Sequence, residues 1–192
     1  MKVGSPTAGG DWIEVSANAG GYGLPAFWVM KYEAKPQLND ESGFDSDGNA
    51  STASYKPYST ANHSPWRYIN PVQAKSECRS LGSGYDLIAN EEWMAIAREL
   101  EANSSNWVGG CLKRGNINST SCAAYKSTTY PSADFLDYGT SRNSLAIMTL
   151  NSNGAEIYDF SGNAGEWVDW LPQSGGAIST TDTTYSGYPT VC

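Results

Sequence analysis

Three carboxylates, Asp159, Glu166 and Asp169, and a set of backbone carbonyls crowd the stretch Ile157-Tyr-Asp-Phe-Ser-Gly-Asn-Ala-Gly-Glu-Trp-Val-Asp-Trp170. A hard cation such as calcium takes six to eight oxygens at about 2.3–2.6 Å, and a tight turn supplies them by mixing carboxylate with carbonyl donors. Asp159 and Glu166 are the carboxylates within the turn, and the glycines between them let the backbone bend. The plainer alternative is that these side chains only hold the turn by hydrogen bonds. A second acidic stretch, Asp45-Ser-Asp47-Gly-Asn49, resembles the start of a calcium loop but has no later Glu at the right spacing, and so reads as an Asx-type turn.

Other chemistry finds few carriers. The chain has one histidine, His63, in a polar segment, and one His cannot build a facial triad for iron. Nothing resembles a nucleophile elbow or a Gly-rich phosphate loop ahead of a helix. Four cysteines, Cys78, Cys111, Cys122 and Cys192, show no C-x-x-C spacing, so an oxidising, extracellular or cell-surface setting is expected. Pairing is open among three connectivities. Cys111 with Cys122 would close a short loop worth roughly 3 kcal/mol in the chain-entropy model. The sequons at Asn49, Asn62, Asn103 and Asn118 mark exposed loops.

The elements that must position these groups are read from pattern. Phe27 to Glu33 is apolar and aromatic, with Pro36 after it, and predicts a buried strand. Residues 37–64 turn polar and predict a long surface loop. Asn70-Pro71 opens a helix that places Ala74, Cys78 and Leu81 on one face and stops at Gly82. Asn90 is expected to cap a second helix, with Glu91 and Glu92 in its first turn and Trp93, Ile96, Ala97 and Leu100 as its buried stripe. Leu145 to Leu150 and Glu156 to Phe160 read as two strands joined by a turn at 151–154. The sum is an α+β domain: two helices with short antiparallel strands and long loops.

At 192 residues the chain can bury a sizeable core. A net charge of −8 with no basic cluster disfavours nucleic acid and anionic membrane surfaces. No run of apolar residues reaches membrane-spanning length, so no direct membrane insertion is expected in this segment. The start lacks the apolar core of a signal peptide and reads as a trimmed or mature terminus.

The stretch from Tyr158 to Trp167 resembles the Y-D/N-x-x-G-N-x-x-E-W signature of the formylglycine-generating, or sulfatase-modifying factor, domain family. Phe27 to Glu33, the Pro65-Trp66 step and Leu81-Gly82-Ser-Gly-Tyr85-Asp-Leu-Ile88 leading into Glu92-Trp93 extend the likeness in the family's order. The resemblance implies a C-type-lectin-like fold over 24–192, where the family's domain normally runs on further, after an N-terminal lead-in or strand over 1–23. It also implies one calcium held by Asp159 and Glu166 with the carbonyls of Gly162 and Ala164. The family's enzymes carry a pair of copper-binding cysteines after an R-G-G-S-W segment, and neither is found here.

What the resemblance leaves is a calcium-stabilised, non-catalytic extracellular domain of the adhesin or variable-protein kind, with a surface protein or glycan as partner. The stretch from Ser174 to Cys192 is rich in Ser, Thr, Tyr and Gly, suited to adaptable contacts, and Tyr185 and Tyr188 are its candidate ligand-binding residues. The alternatives are a copper-dependent oxidase of the formylglycine-generating type and a structural subunit of a surface filament or layer.

Overall fold

The computed structural model describes residues 4–45, 48, 53–114, 147–162 and 166–169. Their architecture is mixed α and β, with two helices and short antiparallel strand pairs. Strands β1 (Trp12–Val15) and β2 (Phe27–Met30) form the first pair, in register Trp12 to Met30 through Val15 to Phe27. Val15, Phe27 and Val29 are fully buried and meet Ile88, Ile96, Leu100, Met148 and Leu150 in the main core.

The strand expected over Phe27 to Glu33 ends at Met30, and a second strand, β3 (Ala34–Leu38), follows after a short bend. This corrects two expectations. Pro36 does not end the strand, and 37–64 is not simply a loop, because β4 (Tyr55–Ser59) returns antiparallel to β3. The reason lies in the register. Pro36 stands opposite Pro57, so two residues that have no N–H to give share one rung of the ladder and neither wastes a neighbour's carbonyl. The Pro36 carbonyl instead accepts the Asp45 amide at 3.0 Å.

Helix α1 (Pro71–Ser80) forms as its sequence predicts. The Asn70 side chain accepts the Gln73 amide at 2.9 Å, the Gln73 side chain accepts the Asn70 amide at 3.0 Å, and Pro71 needs no partner at the first position. Ala74 and Cys78 bury against Trp66, Ile69 and Leu87, and Gly82, at φ 126°, turns the chain away.

Helix α2 (Asn90–Ala102) begins one residue earlier than the sequence predicts. Ala89 holds the N-cap position, and Glu92 closes the turn by accepting the Ala89 amide at 2.8 Å, so Asn90 lies inside the helix. Ile96 and Leu100 are fully buried while Trp93 is half-buried at the helix start. A short hairpin, β5 (Trp107–Val108) with β6 (Cys111–Leu112), follows.

The last pair, β7 (Ile147–Thr149) with β8 (Glu156–Tyr158), carries the turn at 151–154 that the sequence predicts. Asn106 ties it to the end of α2: its side-chain amide donates to the Leu100 and Thr149 carbonyls, and its side-chain oxygen accepts the Thr149 amide, all within 2.9 Å. None of its polar capacity is wasted in a fully buried place. Among the described residues no helix is long and apolar enough to cross a membrane.

Candidate functional site

The turn that follows β8 is anchored on both sides of its first carboxylate. The Tyr158 amide donates to the Lys31 carbonyl at 3.0 Å, and the Tyr158 ring packs on Tyr32 with centroids 4.6 Å apart. Two residues on, Phe160 stacks on Trp93 of α2 at 4.8 Å and 21°. Asp159 lies between these two aromatic anchors, only 2% exposed, at φ 55°. A left-handed conformation costs little for Asp and fixes the sharp reversal that points the chain toward Gly162, itself at φ 90°.

Glu166 returns to the same place. Its Oε2 accepts the Trp93 indole N–H at 2.9 Å, so one side chain of α2 holds Phe160 by its face and Glu166 by its edge. The chain beyond Glu166 is clasped in turn. Trp167 donates its indole N–H to the Ile69 carbonyl at 2.8 Å, and the Asp169 amide donates to the Ile88 carbonyl at 2.7 Å. Asp169 also pairs with Lys75 of α1, whose ammonium lies 3.9 Å from Asp86, while Asp86 accepts Arg79 at 2.8 Å. These half-exposed pairs add little energy singly, but as a network they fix the segment against both helices.

Beside the turn, β3 contributes charge that its surroundings should forbid. Glu33, Lys35 and Gln37 alternate along one face of the strand region, and all three are buried. The Lys35 ammonium stands 3.9 Å from Glu33 Oε2, with side-chain exposures of 2% and 1%. A bare ammonium or carboxylate in such a place is costly unless paired. Burial pushes the Lys35 amine down from its ordinary value, and the charges of Glu33 and Asp159 pull it part of the way back. Burial pushes the Glu166 carboxyl well above its ordinary range; the Trp93 bond opposes this and the charges of Glu33 and Asp159 reinforce it. Glu33 and Asp159 are thus within electrostatic reach of both Lys35 and Glu166.

Of the expected calcium ligands, Asp159, Gly162 and Glu166 lie in this turn, whereas Ala164 lies outside the described residues. No three His, Cys, Asp or Glu side chains converge on one point among the described residues. An ion here would draw on two carboxylates and backbone carbonyls, an all-oxygen set of the class that hard cations take. Glu33, Lys35 and the bond made by Trp93 were not legible as site features, because the strand was expected to stop before Pro36. The alternation Glu33, Lys35, Gln37 was the signal, cut in two by that boundary.

The remaining expected residues separate. Cys78 and Cys111 are both disulfide-bonded, one in the core beneath α1 and the other in β6. Cys122, Tyr185 and Tyr188 lie outside the described residues, as does most of the Asp45 to Asn49 turn. His63 stacks on Phe44 at 4.2 Å, away from the carboxylate group. No family model, curated protein or solved structure matches the chain.

Proposed function

We propose that the chain is a non-catalytic, extracellular recognition domain with the C-type-lectin-like fold of the formylglycine-generating family, stabilised by calcium at the Asp159 to Glu166 turn. One observation supports the ion above all others: Asp159, 2% exposed, and Glu166, whose carboxyl burial pushes well above its ordinary range, both lie in this turn. A divalent cation would supply positive charge to those two carboxylates. Asp159 and Glu166 would give carboxylate oxygens and Gly162 and Ala164 carbonyl oxygens, and calcium would supply fixed positive charge to a turn that otherwise repels itself.

The recognition role rests on sequence and scaffold together. A core this firmly tied lets attached segments vary without unfolding the domain, and the Tyr- and Ser-rich stretch around Tyr185 and Tyr188 has the composition of adaptable contact surfaces. Disulfide-bonded Cys78 and Cys111 suit an oxidising compartment. The partner class is a glycan or surface protein. A glycan and surface-protein array, probed in calcium and in chelator, tests the proposal: selective binding lost in Tyr185→Ala with Tyr188→Ala supports it. Turnover of a cysteine-containing peptide to an aldehyde with added copper would replace it with the oxidase alternative.

A further inference from the structure

The two disulfide-bonded cysteines of the described residues, Cys78 and Cys111, stand in opposite surroundings. No bond joins one to the other among the described residues, so each belongs to a separate disulfide. Cys78 is fully buried beneath α1, walled by Met30, Trp66, Ile69 and Leu87. Cys111 is half-buried in β6, opposite Val108 across the β5–β6 hairpin. Gly109 and Gly110 make the turn of that hairpin at φ 59° and 81° and face open space, while Trp107 and Val108 are 43% and 55% exposed. A hairpin with two residues to a strand has little of its own to hold it. Its footing includes the Trp107 indole N–H on the Glu101 carbonyl at 2.9 Å and the Lys113 amide on the Asn106 carbonyl at 2.7 Å.

Thiol–disulfide exchange distinguishes two such bonds. A thiolate attacks one sulfur and expels the other, so exchange needs both an approach path and a leaving sulfur whose charge is tolerated. At Cys78 both are denied: the core covers its sulfur, and attack on the sulfur bonded to it would expel a bare thiolate into an apolar pocket. At Cys111 neither obstacle is complete, because a half-exposed sulfur can be approached and, once expelled, solvated. We infer that Cys111 is a redox-modification site: in the folded protein its disulfide exchanges with glutathione-class thiols while the Cys78 bond stays closed. The first thiol forms a mixed disulfide with one sulfur and frees the other as a thiolate, which takes up a proton. A second thiol displaces the first from the protein, so the protein bond gains two electrons and two protons as the two reductant thiols close a disulfide of their own. The core beneath α1 is untouched, and what opens is the exposed hairpin that carries Trp107 and Val108.

The experiment exposes the oxidised full chain to reduced glutathione under native conditions, quenches with an alkylating agent at intervals and maps the Cys78 and Cys111 peptides by mass. Cys111 is expected to appear as alkylated thiol or glutathione adduct at least about tenfold sooner than Cys78. In denaturing guanidinium, where burial is gone, the two should react within about threefold of each other. Helical circular dichroism should be unchanged at the stage where Cys111 has opened and Cys78 has not. Equal rates in the native protein, faster reaction of Cys78, no reaction at either, or a preference that denaturant leaves unchanged would overturn the inference. Loss of helix on opening Cys111, or a peptide map that joins Cys78 to Cys111, would overturn it as well.

Discussion

Trp93 donates its indole N–H to Glu166 across 73 residues of sequence, at 2.9 Å, while the same ring stacks on Phe160. The bond and the stack are separable by substitution. Trp93→Phe keeps an aromatic surface against Phe160 but leaves Glu166 without its donor, and is expected to cost about 1–2 kcal/mol. Trp93→Ala loses the packing as well and is expected to cost about 3–5 kcal/mol. Urea denaturation of the three proteins measures both differences, and equal stability of Trp93→Phe and the wild type would show that the bond contributes nothing.

Gly10 is required by its neighbour. It pairs with Ser59 at the edge of β4, at φ 85°, and a Cβ there would overlap the Ser59 carbonyl. Gly10→Ala is expected to destabilise by at least 2 kcal/mol, because the clash is with backbone and the conformation is strained as well. Gly21, also at positive φ but facing open space, is the control: Gly21→Ala should cost about 1 kcal/mol. Circular dichroism melts of the two variants give the comparison.

Glu99 sets an acid limit on stability. Burial alone would push its carboxyl up, but bonds donated by Gly20, Ser152 and Asn151 outweigh burial and hold it below the ordinary value of 4.5. A carboxyl lowered in the folded state contributes stability that is complete above the unfolded value and is lost as pH falls through the folded one. The Glu99→Gln variant is expected to be less stable than the wild type at neutral pH by about 1 kcal/mol, solvent at the rim screening part of the effect. The difference should shrink as pH falls below 4.5 and vanish once pH is below the folded value, and a gap that stays constant through acid titration would assign it to shape instead of charge.

Both described cysteines are oxidised, and the pairing proposed for Cys111 is with Cys122. Peptide mapping without reductant should recover those two in one cross-linked peptide, with reduction lowering stability by about 2–4 kcal/mol. A cross-link from Cys111 to any other cysteine contradicts that pairing.

Local chemistry made much of this fold legible. The Asn70-Pro71 start, the apolar stripe through Ile96 and Leu100 and the turn at 151–154 are set by neighbours in sequence, and each stands where pattern predicts it. What escaped depends on partners distant in the chain. Pro36 ends a strand in isolation, and only Pro57 opposite makes it tolerable within one. Asn90 is a better cap than Ala89 by type, but Glu92 satisfies the helix start from within. Asp159 and Glu166 announced themselves by type and spacing, whereas Lys35 became part of their surroundings only once β8 had docked on Lys31 and Tyr32.

The central claim is that the Asp159 to Glu166 turn binds calcium, and thermal melting at fixed free calcium tests it most directly against melting in excess chelator. Binding to the folded state alone raises stability by mass action, about 2.7 kcal/mol at a hundredfold excess over Kd. The wild type is expected to melt several degrees higher in calcium, and Glu166→Ala to melt at one temperature in both conditions. A wild-type transition that chelator leaves unmoved, or a calcium shift undiminished in Glu166→Ala, would contradict the account.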